Sequence, residues 1–193
     1  MIFYFILYKP FEVLSQFSAD GNKKTLKDWM SVAEDVYPVG RLDYDSEGLL
    51  ILTNDTSLNA ALLLPKHAHE RTYYVQVEGA VTAEALEQLE RGVMISSDGK
   101  KLKTLPAKAK LLQTAPLLPE RNPPIRYRKN IPTSWISLTL KEGKNRQVRK
   151  MTAAVGFPTL RLVRYSIGRL NVGGWQSGEL RQYTKKELFA RLG

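Results

Sequence analysis

Gly40-Arg41-Leu42-Asp43-Tyr44-Asp45-Ser46-Glu47-Gly48-Leu49-Leu50-Ile51-Leu52-Thr53 changes character at its middle. The first nine residues carry three carboxylates, one at every second position, and four apolar residues follow without a break. Two glycines and alternating polar residues mark the acidic part as a turn rather than a helix. The run Leu49–Thr53 reads as a buried strand. Charge held on a loop against a rigid sheet is a setting in which binding and catalysis concentrate.

Outward from this stretch, strands are the commoner element. Ile2–Tyr8 and Phe11–Phe17 read as strands joined near Lys9-Pro10, and Asp20-Gly21-Asn22 as a turn. Leu26, Trp29, Met30 and Ala33 have helical spacing behind a cap at Thr25. Asn54–Ser57 reads as a turn and helix start, with Leu58–Leu64 helical as far as Pro65. Thr72–Glu78 alternates, so Tyr73, Val75 and Val77 share one face. Thr82 caps a short helix closed by Gly92, and Val93–Gln113 holds short strands with a turn at Asp98-Gly99. Residues 114–134, with five prolines and little periodicity, read as a long surface loop. Trp135–Leu140 alternates again, Asn145–Val155 is a helix stopped by Gly156 and Pro158, and short strands follow. Thr184-Lys185-Lys186-Glu187 is a capping box. Strands do not alternate regularly with helices, so the expected class is α+β: a largely antiparallel mixed sheet in two lobes with flanking helices. A length of 193 residues suits one domain, or one domain with two lobes.

The chain has no cysteine, which excludes disulfides, thiolate metal sites and a cysteine nucleophile. His67 and His69 are the only histidines; no third ligand type lies at suitable spacing, and both are expected at the surface. The apolar run at Ile2–Tyr8 is too short to span a membrane and is not preceded by a basic residue, so cytoplasm is the expected location. Net charge is +10, unevenly placed: residues 1–120 carry 13 Lys+Arg against 16 Asp+Glu, and residues 121–193 carry 16 against 3. That asymmetry points to a polyanion, nucleic acid above all.

Three readings compete for the acidic loop and its surroundings. The spacing of Asp43, Asp45 and Glu47 imitates the start of an EF-hand, but Asn54 stands where the bidentate Glu belongs. A pair of glycosidase carboxylates could sit two residues apart on such a loop, yet a strongly basic second half does not suit a neutral glycan. The helix over 145–155 favours a third. Val148, Met151, Thr152 and Val155 form its buried stripe, while Arg146, Arg149, Lys150 and Ala153 fall on nearly the opposite face. With Arg161, Arg164 and Arg169 this makes a surface that could track phosphates. Tyr73, taken alone, reads as core.

Taken together these residues resemble a known family. Gly40-Arg41-Leu42-Asp43 followed by Ser46–Asp55 is similar to the active-site motif of RNA pseudouridine synthases, in the RsuA-type branch that acts on ribosomal RNA. Lys9-Pro10, Tyr73-x-Val75, Glu142–Met151 and Arg164-x-x-Ile167-Gly168 match other family blocks in the same order. The resemblance implies isomerisation of uridine to pseudouridine by one catalytic domain over 1–193, without cofactor or metal. It implies Asp43 as the catalytic carboxylate, Arg149 as the family's basic partner for it, and Tyr73 as the aromatic that stacks on the target base. Arg41, Lys144, Arg146 and Lys150 are the implied RNA contacts. There are two departures: Arg71 stands where lysine is common, and no separate RNA-binding domain precedes the catalytic block. The second makes the chain most similar to short family members acting on the large subunit, so large-subunit RNA is the expected partner and a monomer the expected state. The alternatives are a non-catalytic RNA-binding assembly factor of the same fold, which would not require Asp43, and an enzyme acting on small-subunit RNA.

Overall fold

The computed structural model describes residues 1–63, 69–97, 99–126 and 128–192. They form two compact units. Along the chain, β1 (Tyr4–Lys9), β2 (Val13–Leu14), β3 (Lys24–Thr25), β4 (Tyr37–Val39), β5 (Glu47–Thr53) and α1 (Thr56–Leu63) open the first. The second contains β6 (Arg71–Glu78), α2 (Ala83–Arg91), β7 (Met94–Ser97), β8 (Lys100–Lys103), β9 (Lys108–Leu112), β10 (Thr133–Leu140) and α3 (Gln147–Ala154). β11 (Thr159–Ile167) begins in the second unit and ends in the first, which also holds β12 (Leu170–Asn171), β13 (Leu180–Gln182) and α4 (Lys185–Leu192).

Strands of the first unit run in the order β13-β1-β5-β11, with β4 beside β5 and β12 beside β11. β5 lies between β1 and β11 and every one of its residues is buried, which is why its stretch Leu49–Leu52 is apolar without alternation. β1 and β5 are antiparallel with Lys9 opposite Gly48. Leu7, Leu26, Leu42, Leu50 and Leu52 form the core beneath them. The strand expected from Ile2 starts at Tyr4, and the one expected over Phe11–Phe17 shrinks to β2, paired in parallel with β3.

The helix expected from Leu26 to Ala33 is a correction. Only a 3-10 turn forms, over Leu26–Asp28. Leu26 and Met30 are buried, but Trp29 and Ala33 are exposed, so no continuous apolar face holds further turns. Thr25 does stand at the N-cap position of the turn, where the Asp28 carboxylate reaches back to accept from its N–H at 2.7 Å and its Oγ1 at 3.2 Å. The capping box of α4 also forms, with Thr184 N–H on Glu187 Oε2 at 2.8 Å and Glu187 N–H on Thr184 Oγ1 at 3.2 Å.

In the second unit the order is β11-β6-β10-β9, and β7 pairs with β8 apart from it. β6 and β10 are antiparallel, Tyr73 facing Leu138 and Val75 facing Ile136. Tyr73, Val75 and Val77 are buried with Leu89, Val148 and Met151, as the alternation requires. Thr82 caps α2 by accepting from Ala85 N–H at 3.2 Å, and Gly92, at φ +80°, ends it. The segment between β9 and β10 has no regular structure over its described residues and is largely exposed, the long loop expected there. Its middle, Leu117–Pro123, belongs to the first unit. The pairs β1–β13, β1–β5, β4–β5, β11–β12, β6–β10 and β9–β10 are antiparallel, and the class is α+β.

Candidate active site

The acidic stretch connects two antiparallel neighbours, β4 and β5, whose register sets Val39 opposite Ile51. The turn between them, residues 40–46, is fixed at three points. Leu42 is a plug: its side chain is buried in the core of the first unit. Ser15 clamps the same residue, its Oγ donating to Leu42 O at 2.8 Å and accepting from Leu42 N–H at 3.1 Å. Ser46 N–H closes the turn on Asp43 O at 3.0 Å, and Glu12 N–H reaches Tyr44 O at 2.9 Å. Asp43 is left half-buried and Arg41 exposed, on a backbone with little freedom to move.

Charge inside the unit explains how three carboxylates are tolerated. Lys9, at the end of β1, is fully buried, and its Nζ donates to Pro10 O at 2.8 Å and to Val13 O at 2.6 Å. Burial pushes its pKa down to about 7, and the field of Arg164 adds to that, against the opposing pull of Glu47, Asp45 and Asp43. Arg164 is 5% exposed and donates from Nε to Leu49 O at 2.8 Å. Gly48 lets these parts meet: at φ +102°, a Cβ there would lie 2.4 Å from Arg164 O. Glu47 is 2% exposed, so β5 begins two residues earlier than its apolar run suggests.

Two corrections concern the cations. Arg161 and Arg164 were expected on a phosphate-tracking surface, but both are buried because they lie within β11, an interior strand; Arg169 alone of the three is exposed. Lys9 and Arg164 thus pack beside the acidic loop from inside the unit; the sequence places both in motif blocks, and Arg164 also on a surface, without indicating that either is buried there. For Lys9 the available signal was position, since a lysine closing a wholly apolar run has few routes to solvent; Arg164 stands in a mixed run, Thr159–Ile167, that carries no such signal.

In the second unit, Tyr73 sits on β6 among Leu138, Val148 and Met151. α3 starts at Gln147 rather than Asn145, because Arg146 is left-handed at φ +53° and stands outside the helix as its N-cap. Val148, Met151 and Thr152 are buried as expected, and Val155 is half-buried. On the other face Arg146 is exposed, whereas Arg149 and Lys150 are half-buried. Lys144, just before the helix, pairs with Glu142. Glu142 Oε1 also accepts from Leu105 N–H at 2.8 Å and from Gln147 Nε2 at 2.6 Å. Burial would raise the pKa of this carboxyl, but the three donors outweigh it and hold it below its usual value. Gln147 in turn accepts from Lys144 N–H at 2.9 Å, so one buried amide locks the turn that presents Lys144 and Arg146.

Each predicted site residue thus has a defined place: Arg41 and Asp43 on one clamped loop of the first unit, and Tyr73, Lys144, Arg146, Arg149 and Lys150 on or beside β6 and α3 of the second. A half-buried carboxylate on a fixed loop can act as a nucleophile or a base once a substrate is brought to it. Among the described residues no group of three or more His, Cys, Asp or Glu is placed to hold a metal ion, and no helix is long and apolar enough to cross a membrane. His69 is half-buried rather than a surface residue, and His67 lies outside the described residues.

The sequence profile of the RNA pseudouridylate synthase family matches residues 3–154. A Vibrio parahaemolyticus protein named ribosomal large subunit pseudouridine synthase E is 52% identical over 177 residues, covering 92% of this chain and 72% of that one. A Xanthomonas axonopodis pv. citri protein of the same name is 52% identical over 165 residues, 84% of each chain. A solved structure titled as a pseudouridylate synthase superposes with a TM-score of 0.80 at 26% identity, covering 100% of this chain and 74% of that one.

Proposed function

The chain belongs to the RNA pseudouridylate synthase family, and from that premise we propose that it converts a specific uridine of large-subunit ribosomal RNA to pseudouridine, with Asp43 as the catalytic carboxylate. The observation that carries this reading is the identity of about half of all residues, over most of the chain, with proteins named for that activity on that RNA. The clamped loop supports the role of Asp43: the reaction breaks a glycosidic bond, turns the uracil and joins it again through carbon, so the carboxylate must hold its place throughout. No redox step or energy source enters that balance.

Tyr73 is proposed to stack on the target base once it leaves its helix, which offsets part of the cost of unstacking. Arg149 supplies positive charge to the reaction, and Arg41, Lys144, Arg146 and Lys150 contact RNA. With ribosomal RNA as substrate the place of action is the cytoplasm. Pseudouridine mapping of ribosomal RNA from cells lacking the protein tests the whole reading. One large-subunit site is expected to revert to uridine and to be restored by the purified protein in vitro. An unchanged large-subunit map, or a lost site in small-subunit RNA, would reject it.

A further inference from the structure

Within the first unit a cavity of about 430 Å³ opens beside the acidic loop, and neither Asp43 nor Arg41 lines it. Its walls include three aromatic rings, Phe11, Trp29 and Tyr44. Trp29 is 41% exposed, far more than a core tryptophan needs to be. The indole is seated by Gly178, where a Cβ would come within 2.8 Å of its Cε3 atom. The guanidinium of Arg121 lies 4.1 Å from the centre of the Phe11 ring, and its Nε donates to Pro123 O at 2.8 Å, so the arginine forms a flat plate rather than a waving arm.

Polar lining gives the cavity a sign. Glu12 and Glu120 bring exposed carboxylates to it, Glu47 lies buried in its wall, and Lys24 and Arg121 bring cations. Glu12 holds a left-handed backbone at φ +56°, a conformation unfavourable for glutamate, and its N–H is tied to Tyr44 O. Tyr44 directly follows Asp43 in sequence, which puts its backbone about 3.8 Å from that of the proposed catalytic residue.

We propose that this cavity receives a second, unpaired base of the RNA substrate, one or two nucleotides from the target uridine, and that it prefers bases presenting N–H donors, guanine first. The proposal rests on the function given above. Aromatic and guanidinium faces are what unstacked bases bind. Carboxylates accept from exocyclic amino groups, and guanine offers two parallel donors, N1–H and N2–H, to one carboxylate. A uracil edge presents only N3–H, flanked by two carbonyl oxygens that the same carboxylates repel. Lys24 and Arg121 then meet the phosphate of that nucleotide, which the acidic lining alone would exclude.

Octauridylate and the same oligonucleotide with one internal guanosine are the probes, and quenching of tryptophan emission is the readout. The guanosine oligonucleotide is expected to reach half-quenching at a concentration about fivefold lower than octauridylate, a difference of roughly the size of one base-edge contact. Trp29→Phe should remove that quenching although Trp135 and Trp175 remain. Glu12→Gln, at an exposed side chain, should bring the two midpoints within about twofold while quenching persists. Equal midpoints in the parent protein would overturn the proposal, as would a difference that survives both substitutions. Binding here requires no turnover. A protein that forms pseudouridine but shows no guanine preference therefore loses this cavity reading alone, and one that shows the preference but forms no pseudouridine loses the proposed function instead.

Discussion

The two units handle charge in opposite ways. Divided by space rather than by sequence, the first unit carries 13 Lys+Arg against 12 Asp+Glu, and the second carries 16 against 7. The first brings its charges inward, burying Lys9, Arg164, Glu47 and Asp55. The second keeps most of its excess on the outside, with exposed lysines along β8 and β9 and Arg146 ahead of α3, and buries Arg161 within β11. Cutting the sequence at residue 120 exaggerated the contrast, because Arg164–Gly193 returns to the first unit with six basic residues against two acidic ones. The difference separates two uses of a cation: inside, it stabilises neighbouring carboxylates; outside, it meets a polyanion.

The sharpest attempt to break this division is Asp43→Asn. If the first unit houses the chemistry, pseudouridine formation should fall by about 10⁴-fold or more, while RNA affinity stays within about twofold. Retained turnover, measured by pseudouridine mapping of a substrate RNA, would remove Asp43 from the mechanism. Gly48→Ala probes the packing that brings Arg164 beneath the loop. The added methyl meets backbone at 2.4 Å and a positive φ, so a loss of about 3 kcal/mol in urea unfolding is expected; a stability change near zero would show that the strand and Arg164 can part without cost.

Lys9→Met tests the buried ammonium by pH. Its folded pKa, about 7, lies below its ordinary 10.5, so between these values the unfolded chain holds a proton that the folded one has released. Folding stability attributable to this group should rise with pH across that window and be lowest below it. The methionine variant should lack the rise; an identical pH profile in both proteins would mean that Lys9 keeps its charge at little cost. The smallest effects belong to the outer cations. Lys144→Ala, Arg146→Ala and Lys150→Ala should each reduce the log–log salt slope of RNA binding by about 0.7, the value for one phosphate on a single strand. An unchanged slope in all three would move the RNA surface elsewhere, and Lys144 has the most to lose, since Glu142 already holds it.

Much of this was legible in the residues, for reasons that differ by region. β6 and α3 were readable because burial on one face imposes a period on side chains, β5 because burial on both faces leaves an unbroken apolar run, and Thr82 and Thr184 because caps are local hydrogen bonds. The helix after Thr25 failed because spacing alone does not say whether Trp29 finds a partner, and here it faces solvent. Asp43 was singled out by its motif, but the groups that settle its loop, Ser15, Lys9 and Arg164, come from distant segments and left no periodic trace. Arg164 was misread for the same reason: whether an arginine faces water depends on which strands flank β11, and that order is not written locally.

Leu49 and Arg164 are 115 residues apart, and β1 pairs with β13 near the other end of the chain. The second unit is complete by Val163, before either partner has left the ribosome. Synthesis therefore imposes an order: the basic unit can fold while the acidic loop still waits, without its buried arginine and without the strand that closes its sheet. A nascent chain stalled before Arg164 would hold the surface proposed to meet RNA but not the packing around the loop of Asp43.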